Sequence, residues 1–494
     1  MTGSPQIAVV GAGLAGLVAA RHLAASGAVV TVFERRDRVG GRVRTRTVDD
    51  FLLDRGFQVL FTDYPAVRRE LDLDGLSLQR FESGATLGGR NRRSVLVDPF
   101  AAPRSRSTLR SLPKTAIGRD VTPLDALRLV RLRLELARTP YDAIFDPSAI
   151  DEMDIETYLT RRGFSRRFLE RFVRPFYGGI TLDPTLSTSA RVFRYTFKAL
   201  SGGSAAVPAA GMGAIPAQLA AAAEASGVTI ETGTTIDRVE AGGITSPADL
   251  GDVTVGGAGD VPIDGDEAVT GTEVGDVPID GDEAVTSNGA GESTVAGDED
   301  VVVAGGGETV PVDAAIVATD PPTARRLTGI SSIPTEGRGC VTQYFALDDG
   351  VLDLPPRLHL NVNASPTIDA DPAGPNQVAP LGAVAPTYAP EGRTILSSTY
   401  LGNPTASDEG LADRTRRTIA GWYPERSVDG LALLATDRIE FAQFAQPPGI
   451  HRTLPAVDAP DGPIFLAGDY TSWSSIQGAM ASGRAAARAA LRAL

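Results

Sequence analysis

Six residues at positions 11–16, G-A-G-L-A-G, carry the first legible chemistry in this chain of 494 residues. Gly11 permits a tight turn, Gly13 lets the backbone approach a pyrophosphate, and Gly16 allows a helix to pack closely on the preceding strand. Leu14 and Ala15 fall in the first turn of that helix, whose free N–H groups and positive dipole end suit phosphate. Glu34 stands 23 residues after Gly11. A carboxylate there accepts hydrogen bonds from a ribose diol and repels a 2′-phosphate, which disfavours NADP. Next comes R-D-R-V-G-G-R-V-R-T at 36–45. Beside Arg35, the residues Gly40, Gly41 and Arg42 can bring backbone amides and a guanidinium to the pyrophosphate from a second side. Towards the other end, G-P-I-F-L-A-G-D-Y at 462–470 and S-S-I-Q-G-A-M-A-S-G-R-A-A-A from 474 read as strand, turn and helix. Asp469, after Gly468, suits ribityl hydroxyls or a ribose–phosphate junction. The helix start at Ile476 and Gln477 favours negative charge on a reduced flavin.

These residues need a frame. The apolar run 7–10 reads as a buried parallel strand, an alanine-rich helix extends to about 26, and 29–33 reads as a second strand. That is a βαβ unit. Helical spacing recurs over 122–138, with arginines between the leucines, and over 155–176. Strands are expected at 228–240, 341–347, 358–362 and 394–401, separated by Pro- and Gly-rich loops. The fold class is therefore α/β.

Composition narrows the function. Of 61 acidic residues, 14 lie in 251–300 without one Lys or Arg, which leaves 47 acids against 47 bases elsewhere. No net-basic body attracts phosphate, so nucleic acid is not an expected partner. Cys340 is the single cysteine, which excludes an internal disulfide and a dithiol redox pair. His22, His359 and His451 have no metal-ligand spacing. No apolar run reaches spanning length, and no basic region precedes the first apolar segment, so a cytoplasmic protein is expected. The helix at 122–138 has two readings, a solvated face over a hydrophobic seam or peripheral contact with an anionic membrane. The acidic stretch repeats G-D-V-P-I-D-G-D-E-A-V-T at 259–270 and 275–286. Its low aromatic content and one-signed charge predict a disordered insert over 243–300, interrupting a hairpin between 253–255 and 310–318.

Together, the 11–45 and 462–487 segments resemble the FAD-dependent superfamily of flavin-containing amine oxidases, phytoene desaturases and protoporphyrinogen oxidases. L-L-D-R-G-F at 52–57 resembles the strand that carries a glycine past the flavin ring, here Gly56, followed by Phe57. V-P-A-A-G-M-G-A-I-P at 207–216 resembles a turn before a helix, with Ala209 and Ala210 at the usual Gly-Gly. In T-T-I-D-R-V at 234–239, Ile236 matches the residue whose backbone contacts the adenine.

The resemblance implies a Rossmann-like FAD-binding domain over 1–90, 205–330 and 430–494, with a substrate domain over 91–204 and 331–429. It also implies dissociable FAD, since no cysteine lies near 471–475 to hold it covalently. Departures choose among branches. The family's amine oxidases carry a lysine in the strand that reads G-R-G-C-V-T-Q-Y-F here, and a cage tyrosine where Ser475 stands. Both are missing. The implied activity is dehydrogenation or desaturation of an apolar, isoprenoid- or tetrapyrrole-like molecule by hydride transfer to flavin N5. The alternatives are an amine oxidase or, outside enzymes, a flavin- or isoprenoid-binding carrier. Without a second G-x-G-x-x-G, electrons are expected to leave to oxygen, a quinone or another carrier. Phe176, Tyr177, Tyr344 and Tyr400 are the expected substrate-cavity residues.

Overall fold

A computed structural model of the chain describes residues 4–90, 92–97, 120–146, 152–241, 301–305, 308–368 and 370–494. The acidic insert expected over 243–300 lies outside them.

Five parallel strands form the first sheet, in the order Thr229–Thr232, Val29–Glu34, Gln6–Val10, Ala314–Val317, Ile464–Leu466. Apart from the exposed edge strand Thr229–Thr232, their residues are mostly apolar because helices cover one face and an antiparallel three-stranded sheet adjoins the other. Gln6–Val10 sits in the middle with its sequence neighbours on opposite sides, which makes its carboxyl end a topological switch point. Val10 is in register with both Phe33 and Val317, so the loops beginning at Gly11, Arg35 and Ala318 open at one level. The helices Leu14–Ala24 and Ile476–Ala493 pack against each other here. Gly483 permits that approach, since a Cβ at this position would collide with the Ala15 carbonyl.

The second sheet has seven strands, in the order Ala432–Phe444, Gly337–Asp348, Arg393–Leu401, Gln377–Ala379, Leu358–Asn361, Gly84–Gly89, Arg92–Val97. Neighbours are antiparallel except Leu358–Asn361 with Gly84–Gly89. Gly84–Gly89 and Ala432–Phe444 lie within the ranges given above to the FAD-binding domain and pair into this sheet. The helix Asp408–Trp422 packs on one face through Ala412, Ile419 and Trp422. Over the other face lie Arg174–Thr181, Ala190–Gly202 and Pro123–Arg138, the last closed at its start by a Thr122–Asp125 capping box. Among the described residues, no helix is long and apolar enough to cross a membrane, and no cluster of side chains could hold a metal ion.

The hairpin around the acidic stretch differs from expectation. Arg238–Ala241 pairs with Val301–Gly305, which pairs with Glu308–Val312, and Ala241 is the partner of Val301. Chain ends this close are joined by a two-residue turn. Replacing residues 242–300 by Asn-Gly is therefore expected to shift the thermal midpoint by less than about 4 °C, the effect of roughly 1 kcal/mol. The formal net charge would move from −14 to +1, so solubility near neutral pH is expected to fall while folding persists. A midpoint lowered well beyond that limit, measured by circular dichroism, would make the insert an ordered part of the molecule.

Candidate functional site

A cavity of about 1170 Å³ opens at the switch point and continues beneath the second sheet. That exceeds the roughly 300–1000 Å³ taken by ordinary small-molecule sites. Its first part is the dinucleotide turn. Gly11, at φ +106°, donates its N–H to Phe33 O at 2.7 Å, and a Cβ there would meet Ala318 O at 2.8 Å. Only glycine fits this corner. Gly13 differs: a Cβ there would meet nothing within 4 Å, so the space ahead of the helix is open. Glu34 is buried. Its Oε2 accepts from Ala12 N at 2.9 Å and its Oε1 from Arg36 N at 3.1 Å, which fixes the carboxylate and leaves lone pairs facing the cavity.

The two ends of the chain meet across this cavity. Arg42 donates from Nη2 to Asp469 Oδ1 at 2.6 Å and from Nη1 to Ala442 O at 3.2 Å. Asp469 Oδ2 accepts from Ser474 Oγ at 2.8 Å. Ser475 caps the C-terminal helix, accepting from Gly478 N, so Ile476 begins that helix at the cavity wall. Trp473 also lines the wall, with Tyr64 edge-on at 5.9 Å and Tyr195 at 4.9 Å between ring centres.

Gly11, Gly13, Leu14, Ala15, Glu34, Arg35, Gly40, Gly41, Arg42, Gly56, Phe57, Ile236, Gly468, Asp469 and Ile476 all border this one cavity. Two candidates do not. Gly16 packs beneath the turn, where a Cβ would collide with Gly11 O. Gln477 turns its side chain away, its Oε1 accepting from Ala66 N at 2.7 Å.

Of the four aromatic candidates, Phe176 and Tyr177 line the cavity, with Phe176 stacked on Phe172 at 5.2 Å. Tyr344 and Tyr400 must be corrected. Tyr344 is fully buried and donates its hydroxyl to the carbonyls of Asp54 and Gly56, so it braces the turn at Gly56. Tyr400 donates to Leu411 O at 2.7 Å on the opposite face of the sheet. Its neighbour Thr399 faces the cavity, and a strand alternates faces at every residue.

The floor of the second part is built by register. Ile439 pairs with Cys340, Thr342 with Thr399, Thr399 with Gln377, Gln377 with Leu360, Leu358 with Ala85, and Ala85 with Leu96. One face therefore presents Ile439, Cys340, Thr399, Gln377, Leu358 and Leu96 in a row across the sheet, and each of them lines the cavity. Leu127, Leu129, Phe172, Phe197 and Leu200 of the covering helices close it from above. Of these floor residues, Cys340 stands in the quoted segment G-R-G-C-V-T-Q-Y-F and Leu358 and Thr399 in expected strands, but nothing in the sequence marks them as lining a cavity. Trp473 could have been found, because it stands inside the C-terminal segment between Asp469 and Ser475.

Titratable chemistry is sparse. Burial pushes the Cys340 thiol up to about 12 and moves His451, against the ring of Phe145, down to about 4. Both stay neutral at ordinary pH. Asp54 is the exception to ordinary carboxylate behaviour: burial raises it to about 6. Hydrogen bonds from Thr45 Oγ1 at 2.6 Å, Met212 N at 2.8 Å and Tyr388 Oη at 2.9 Å oppose that rise.

An FAD molecule fits what these residues offer: a carboxylate for ribose, an open helix terminus for pyrophosphate, and a second wall bearing Arg42. Comparison with known proteins agrees. Over 82 residues the chain is 45% identical to putrescine oxidase of Kocuria rosea, a stretch that is 16% of this chain and 17% of that protein. The chain thus spans about a sixth of the length of the curated relatives it matches. An oxidoreductase from Methanosarcina mazei has a TM-score of 0.63 at 14% identity, covering 97% of this chain and 99% of its own. A proposed protoporphyrinogen oxidase from Exiguobacterium sp. 255-15 gives 0.63 at 14%, covering 99% of each. At such identities the likeness is one of fold. The flavin-containing amine oxidoreductase family matches over residues 14–277 and 292–491. That match takes in both walls of the cavity, and the chain belongs to this family, with FAD as its cofactor.

Proposed function

We propose that the chain is an FAD-dependent oxidoreductase that dehydrogenates or desaturates an elongated apolar substrate, isoprenoid-like rather than tetrapyrrole-like. The observation that carries this reading is the row of floor residues drawn from the whole width of the second sheet. Neighbouring strands lie about 4.8 Å apart, so six steps span nearly 30 Å, long enough for an extended chain. When bound, FAD supplies the two-electron acceptor for a C–H bond.

The protein's part is to bind, orient and exclude water. Glu34 would take the ribose hydroxyls, while the amides of Leu14 and Ala15 with Arg42 would take the pyrophosphate. The backbone of Ile236 would meet the adenine, and Gly56, Phe57 and Ile476 would border the ring. Phe176, Tyr177 and the floor would hold apolar substrate against that ring and keep water out. With the hydride taken by the flavin, the second hydrogen of the new double bond would leave as a proton to solvent water, since the neutral Cys340 would not take it. Leu124, Leu127 and Leu134 are 60%, 64% and 51% exposed on one face of Pro123–Arg138, together with Arg131 and Arg138. Since Leu127 also lines the cavity, this face suits uptake of substrate from an anionic membrane surface.

Amine oxidation is the second reading, favoured by the short identity to putrescine oxidase. Against it, no lysine among the described residues lines the cavity, and Glu82 on the lining is already paired with Arg357 at 2.9 Å. Anaerobic mixing of the yellow holoenzyme with isoprenoids in anionic vesicles is expected to bleach the flavin, faster than in neutral ones. A panel of monoamines and polyamines should leave it oxidised. Rapid bleaching by an amine and none by isoprenoids would establish the second reading. Binding without bleaching would make the chain a carrier. Re-oxidation by oxygen or a quinone then identifies the electron acceptor.

A further inference from the structure

The apolar floor has one polar interruption. Thr399 and Gln377 are cross-strand partners that project from the same face, between Cys340 on one side and Leu358 on the other. They are 3% and 4% exposed. Thr399 Oγ1 has no hydrogen-bond partner among the described residues. Gln377 Oε1 accepts from Asn376 Nδ2 at 3.3 Å, which leaves the Nε2 donors for the cavity. Gly179, on the helix above, keeps this spot open, because a Cβ there would collide with Gln377 Oε1.

A buried hydroxyl without a partner is destabilising, and valine would give the same shape on a strand without that penalty. The cost is recovered when a ligand supplies the missing partner. The rest of the row, Ile439, Cys340, Leu358 and Leu96, carries no charge. An ammonium or carboxylate held there would be desolvated with no counter-charge in that row, so the site favours a neutral group.

Resting on the elongated-cavity reading above, we propose that Thr399 and Gln377 form a recognition site for one neutral oxygen, a hydroxyl or keto group, on an otherwise apolar substrate. The oxygen accepts from Gln377 Nε2 and exchanges a hydrogen bond with Thr399 Oγ1. Arg42 ties the Ala432–Phe444 strand to the dinucleotide wall through Ala442 O, and Thr399 stands two strands away. Thr399 is level with Asp437 rather than Ala442, and its cross-strand partner Thr342 accepts from Phe57 N at 3.3 Å, so one strand spacing sets the oxygen about 5 Å from the Gly56–Phe57 turn. The pair thus works as a ruler, selecting which carbon–carbon segment reaches the flavin.

Binding of phytol, its hydrocarbon phytane and its amine phytylamine to the holoenzyme, followed by the flavin spectrum and Trp473 fluorescence, tests this. The wild type is expected to bind phytol about 3–10-fold more tightly than phytane, the range of one neutral hydrogen bond, and phytylamine no more tightly than phytane. Thr399→Val should weaken the preference and keep or raise the ligand-free thermal midpoint, and Thr399→Val combined with Gln377→Leu should abolish the preference. Thr399→Ser should retain the preference. Equal binding of phytol and phytane by the wild type overturns the proposal while sparing the elongated cavity, and so does a preference that survives in the Thr399→Val/Gln377→Leu double variant. Failure of all three to bind overturns both.

Discussion

Gly13→Val is expected to give a folded, colourless protein. The backbone at Gly13 has φ −76° and ψ 179°, a conformation open to any residue, and a Cβ there would meet no atom beyond its chain neighbours within 4 Å. Fold and thermal midpoint should survive. The branched side chain would instead fill the space ahead of the Leu14–Ala24 helix, where the pyrophosphate must lie against the first N–H groups. FAD content should drop from one per chain to nearly none, read from the absorbance of flavin released by acid. Gly16→Val provides the contrast. Any Cβ at Gly16 collides with Gly11 O, a backbone atom, so that variant should fail to fold whether or not FAD is supplied. A Gly13→Val protein that keeps its full flavin would remove this turn from the cofactor site.

Asp54→Asn is expected to remove a pH dependence of stability. Asp54 is 2% exposed, and burial raises its acid group from 3.8 to about 6. A raised folded value stabilises the fold fully below the unfolded value, and that stabilisation fades as pH climbs through the folded one. The shift corresponds to about 3 kcal/mol, lost between about pH 4 and pH 6. Asparagine keeps an acceptor for Thr45 and Met212 and can donate to Tyr388, so it imitates the protonated acid at every pH. Denaturant titrations at pH 4, 5, 6 and 7 should show the variant gaining about 3 kcal/mol on the wild type across that interval. Parallel curves would mean that Asp54 titrates like an ordinary surface carboxylate.

What could be seen beforehand follows the range of the interactions. The βαβ turn, Glu34 and the Asp469 loop were legible because each is a short segment whose residue types are dictated by its own backbone and by the ligand. The strands within 337–348 and 393–401 were legible too, through their β-branched and aromatic content. The cavity floor was not. Its lining depends on pairing between strands far apart in the chain, and Gln377–Ala379 is only three residues long, bounded by Pro375 and Pro380. One residue decides between the cavity at Thr399 and the packed core at Tyr400. Asp54 was hidden for a similar reason: Met212 and Tyr388, which hold it, lie 158 and 334 residues away.

The packing of Leu14–Ala24 against Ile476–Ala493 bears on how the protein is made. The strand Ile464–Leu466 and that last helix complete the sheet and one wall of the cofactor cavity. At about 5–20 residues per second, a ribosome needs roughly half a minute to a minute and a half to get from one partner to the other. Throughout that interval the glycine turn is present without its second wall, and the apolar side of the first helix has nothing to lie against. The cofactor cavity is therefore complete only after residues 464–493 have emerged, and cofactor loading waits for the two helices to close.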